Sequence, residues 1–153
     1  MEKDFTFYES IPASHNRLTA NQIETYNRNG YLNGIPLFDE DQADANRTYF
    51  DGLLAFALSK GKNSYSISGS HVTYGGVYDL VTNPNILDLA EDLLGPHFAA
   101  IGAHYFCKLP RDPEIVSWHQ DFTYWPLDRA KVITIWLAID DVDRENALSL
   151  IHI

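Results

Sequence analysis

Two hydrophobic periods divide this chain at Pro96, and one kind of secondary structure cannot serve both. Before that point, apolar residues recur at helical spacing behind explicit start signals. Thr19 followed by Gln22 is a capping box, ahead of Ile23, Tyr26 and a stop at Gly30. Asp39 and Gln42 repeat the pattern and open a longer helix carrying Ala43, Phe50, Leu53, Leu54 and Ala57, with Gly61 just past its end. Asn83-Pro84 supplies an N-cap and a first helical residue, and Leu87, Ala90, Leu93 and Leu94 form an apolar face closed by Gly95. The residues up to Leu18 show no periodicity and read as an arm. Tyr31-Leu32 reads as a brief strand, and the Ser- and Gly-rich Gly61–Gly76 as a loop.

Beyond Pro96 the pattern changes to alternation. His97–Leu109 places Phe98, Ala100, Gly102, His104, Phe106 and Lys108 on one face of an expected strand. Val116–Phe122 reads as a second strand or strand end. Lys131–Asp140 is a third, with Val132, Thr134, Trp136 and Ala138 opposite Ile133, Ile135, Leu137 and Ile139. Helices first and strands later predict an α+β domain.

Composition narrows the function classes. A net charge of −10 repels a phosphate backbone, so nucleic acid is not an expected partner. Cys107 is the single cysteine, which excludes an intrachain disulfide and a cysteine-based metal cluster. No run of 18 apolar residues exists to span a membrane, and Met1-Glu2-Lys3-Asp4 does not resemble a signal peptide. A cytoplasmic globular protein is the expectation.

The chemistry-bearing stretch is Trp118-His119-Gln120-Asp121-Phe122-Thr123-Tyr124-Trp125. On a strand, residues i and i+2 share a side, so His119 and Asp121 would present an imidazole and a carboxylate together. One further His would complete a two-His-one-carboxylate triad, which leaves three adjacent positions of Fe(II) open. The aromatic flanks suit a pocket that excludes water, and equally suit plain core packing.

These residues resemble the phytanoyl-CoA dioxygenase family of Fe(II)/2-oxoglutarate-dependent oxygenases. The resemblance rests on Ser117–Asp121, Tyr124-Trp125-Pro126-Leu127, Thr134–Val142 and Glu145-Asn146. Upstream it includes Leu18-Thr19-Ala20, Asn29–Leu32, Asn83–Leu87 and Glu91–Gly95. It implies amino-terminal helices followed by the first strands of a double-stranded β-helix (a jelly-roll, cupin-like barrel), incomplete at the carboxy-terminal end. It implies His119 and Asp121 as metal ligands, and Trp136, His104 and His71 as residues near the 2-oxoglutarate cosubstrate. The expected reaction hydroxylates a small organic substrate with O₂ and releases succinate and CO₂. Related halogenases replace the carboxylate by a small residue, so Asp121 points to oxygen insertion.

The chain also departs from the family. The family's distal His ligand and its 2-oxoglutarate-binding Arg follow segments that have no counterpart here, and His152 does not match the distal position. Residues 1–18 are therefore read as an arm, 19–147 as a partial domain and 148–153 as a non-native tail, the fragment itself being inactive. A non-catalytic jelly-roll or cupin-like binding domain, with a structural His-x-Asp, stays open as the alternative.

Overall fold

The computed structural model describes residues 2–11, 16–64, 67–113, 115–143 and 145. The calls on His152 and on the tail at 148–153 lie outside them. Among the described residues the α-helices are α1 (Ala20–Asn29), α2 (Glu40–Ser59), α3 (Gly75–Val81) and α4 (Pro84–Leu94). Short 3-10 turns occupy Ser70–Val72 and Asp121–Tyr124.

The start and stop signals act as their chemistry requires. Thr19 and Gln22 cap α1 reciprocally, and Gly30 closes it at φ 80°, a left-handed conformation that glycine adopts without Cβ strain. Asp39 and Gln42 do the same for the start of α2. On α4 the residues that reach the interior are Leu89, Ala90 and Asp92, while Leu87 stays exposed. The loop expected over 61–76 contains the Ser70–Val72 turn and the first two residues of α3.

The barrel expectation is overturned. The structure is 41% helix and 3% strand, and neither sheet nor barrel forms among the described residues. Among the described residues pairing is confined to two isolated bridges, Asp4 with Arg129 (parallel) and Ser68 with His104 (antiparallel). The stretches expected as strands, 31–32, 97–109, 116–122 and 131–140, therefore carry no ladder. Alternation selects which side chains face inward, but a strand exists only where a neighbour accepts and donates its backbone hydrogen bonds.

The backbone divides into two compact units. One comprises Met1–Ile35, Pro84–Ala99 and Ile115–Ile135; the other comprises Pro36–Asn83, Ala100–Glu114 and Trp136–Ile153. The second unit is built on Phe50, Leu53 and Ala57 of α2, with Ile67 and Val77. Ala103, Tyr105 and Cys107 pack on this cluster, so two-residue alternation survives without a ladder. Tyr105 stacks against Phe50 with ring centroids 4.8 Å apart. Burial raises the pKa of Tyr105 and of the Cys107 thiol above their ordinary values.

In the first unit the apolar interior includes Leu18, Ile23, Leu89, Ala90 and Phe122. A carboxylate lies buried there as well. Asp92 of α4 is 1% exposed and accepts the backbone N–H groups of Asn16, Arg17 and Leu18 at 2.7–2.8 Å. Its main-chain carbonyl accepts the Ser10 hydroxyl at 2.8 Å. A buried anion persists only with such compensation.

Candidate metal centre

The stretch leading to His119 is irregular, and Gln120 is extended at φ −116°, ψ 122°. The chain then tightens into the 3-10 turn that begins at Asp121. The expected strand pleat is thus replaced by an extended residue followed by a turn. The outcome for the two side chains is nevertheless convergence, with His119 Nε2 3.1 Å from Asp121 Oδ1.

Hydrogen bonding on the far side of each group defines what this pair can hold. His119 Nδ1 lies 2.7 Å from the Ser117 carbonyl oxygen, which can only accept, so the ring proton sits on Nδ1. In the neutral imidazole, Nε2 then turns a lone pair toward a carboxylate that also only accepts. Two facing acceptors need a cation between them: either a second ring proton, giving an ion pair, or a metal ion. Asp121 Oδ2 accepts the Thr134 hydroxyl at 2.8 Å, which orients the carboxylate. Partners of this kind, a carbonyl on the imidazole and a hydroxyl on the carboxylate, are what hold metal ligands in place.

The 3.1 Å separation is that of a direct ion pair and equally that of two donors on one ion. Donors about 2.1 Å from an octahedral cation stand about 3 Å apart at adjacent positions. Both side chains retain solvent access, His119 at 31% and Asp121 at 42%. The Tyr124 ring meets the imidazole edge-on at 5.7 Å. No cluster of three His, Cys, Asp or Glu side chains suited to a metal occurs among the described residues.

Trp136, His104 and His71 belong to the other unit. Trp136 is exposed. His104 bridges to Ser68 through the backbone, and its ring lies 4.4 Å from that of Phe106. Partial desolvation lowers its pKa below the ordinary histidine value, favouring the neutral ring. His71 lies in the Ser70–Val72 turn. Its Nδ1 and the Ser70 hydroxyl are buried without hydrogen-bond partners.

Two contributors carried no signal in the sequence. Thr134 stood in an alternating run and at the start of the family-like block Thr134–Val142, with no role of its own. Lys3 lay in the aperiodic arm, yet its ammonium binds the turn that starts at Asp121. No helix among the described residues is long and apolar enough to cross a membrane.

Comparison with known proteins adds a family. Searches of curated proteins and of solved structures gave no match. The family model described as phytanoyl-CoA dioxygenase (PhyH) matches residues 26–151, a span that takes in α2, α3, α4 and the His119–Asp121 pair. The chain belongs to the phytanoyl-CoA dioxygenase family, a family of dioxygenase-type enzymes that generally use Fe(II) and 2-oxoglutarate.

Proposed function

We propose that this chain carries part of the active site of an Fe(II)/2-oxoglutarate-dependent dioxygenase that hydroxylates a small organic substrate and releases succinate and CO₂. One observation carries the reading: two facing acceptors, His119 Nε2 and Asp121 Oδ1, 3.1 Å apart and each anchored from behind. Fe(II), when bound, would supply the activation of O₂ and the oxidative decarboxylation of 2-oxoglutarate. The protein's part is positioning. His119 offers a neutral nitrogen because Ser117 holds its proton on the other side of the ring. Asp121 offers an anionic oxygen because Thr134 engages its second one. His71, whose Nδ1 is buried without a hydrogen-bond partner, is one proposed cosubstrate contact. Trp136 and the neutral His104 are the remaining proposed cosubstrate contacts.

The test is anaerobic addition of Fe(II) and 2-oxoglutarate to the 153-residue chain. A visible metal-to-ligand absorption band is expected, lost in His119→Ala and in Asp121→Ala. Thr134→Val should weaken iron binding about tenfold. No band in the unmodified chain would end this reading. Succinate formation is not expected from this chain alone. The absence of a third ligand from the described cluster favours one alternative, a binding domain in which His119 and Asp121 form a plain ion pair. On that alternative Asp121→Asn lowers stability and leaves metal affinity unchanged.

A further inference from the structure

The arm residue Lys3 reaches the turn that carries Asp121. Its ammonium donates to the carbonyl oxygens of Phe122 at 2.7 Å, Thr123 at 3.0 Å and Trp125 at 2.7 Å. An ammonium has three N–H donors, and all three are used. Phe122 O also accepts the Trp125 N–H at 3.3 Å that closes the 3-10 turn, so the ammonium engages a carbonyl of the turn itself together with those of Thr123 and Trp125. The same ammonium stands 4.8 Å from the Phe122 ring centroid.

Neighbouring residues strengthen the attachment. Asp4 donates its N–H to Asp128 O at 2.7 Å and accepts from Ala130 N–H at 3.1 Å. Phe5 meets Phe122 edge-on at 5.1 Å. Residues 3–5 thus grip both ends of the 122–130 stretch. Thr134 fixes the Asp121 side chain, while Lys3 fixes the backbone from which it projects.

We propose that Lys3 is a positioning residue for the metal ligand Asp121, holding the 121–125 turn in the conformation that lets the carboxylate meet His119. The inference rests on the metal-centre reading, and two measurements on the full chain separate them. The first is hydrogen–deuterium exchange of the 122–125 amides, with those of α2 as an internal control for global folding. The second is anaerobic titration with Co(II), followed by its visible absorption. Lys3→Met should accelerate exchange at the turn and weaken Co(II) binding by about tenfold, with Lys3→Arg restoring most of both. The sign is diagnostic: removing a positive charge near the site would by Coulomb's law alone tighten cation binding, whereas loss of positioning loosens it. Unchanged exchange at 122–125 in Lys3→Met, or tighter Co(II) binding, overturns the proposal. An unmodified chain that binds no Co(II) overturns the metal-centre reading instead, and the clamp on the turn is then decided by exchange alone.

Discussion

At the scale of single residues, the sequence indicated the two candidate ligands more clearly than the means of bringing them together. The i, i+2 spacing of His119 and Asp121 suggested a shared face of a strand, and the groups do converge, but on an extended residue followed by a 3-10 turn. Spacing reports proximity along the chain; Ser117, Thr134 and Lys3 decide the directions of the side chains and the turn, and nothing local marks them. His104 shows a second residue-scale effect, with a pH signature. Its folded-state pKa is lowered by desolvation, so the unfolded chain binds the extra proton more readily. Stability attached to this group is present above the unfolded value of 6.5, falls as the pH drops toward the lowered folded value, and then levels off. Urea midpoints of the native chain minus those of His104→Asn should show this decline between about pH 7.5 and pH 5. A difference that does not vary with pH would refute the assignment.

At the scale of elements, α1, α2 and α4 were legible because their signals are local, whereas α3, which starts behind Tyr74 with no side-chain cap, was not expected. Capping boxes at Thr19 and Asp39, a Pro at the first turn of α4 and glycines past the ends each act within a few residues. What an element holds was less visible. Asp92 is charged, sits between Glu91 and Leu93, and would be assigned to solvent by pattern alone. Instead it ties α4 to the chain entering α1 through three backbone N–H groups. Asp92→Ala, which strands those donors, should cost about 3 kcal/mol, and Asp92→Asn about half of that, measured as loss of urea stability. A cost below about 0.5 kcal/mol would show that water replaces the carboxylate without penalty.

At the scale of the whole molecule, apolar surface is the unresolved tension in this chain. Ile115 is 81% exposed and Trp118 76%, with Val116 exposed between them, next in sequence to His119. Such a run favours self-association. Sedimentation of the chain is expected to show concentration-dependent association that Ile115→Thr with Trp118→Ser reduces; a strictly monomeric native chain would contradict this. The same scale explains the failed barrel expectation. Alternation at 97–109 and 131–140 indicated side-chain facing, and Ala103, Tyr105, Cys107 and Ile139 do pack inward. A sheet also requires partner strands placed alongside, and among the described residues pairing stops at two bridges. The sequence by itself determined the ends of α1, α2 and α4, the family and the residue types at the candidate centre, because each is written in contiguous residues. Only the tertiary structure decided that the extended stretches stay unpaired, that Asp92 is buried and that Lys3 grips the turn behind Asp121. Those outcomes depend on contacts between residues about 75 to 120 positions apart, or on their absence, which no local pattern encodes.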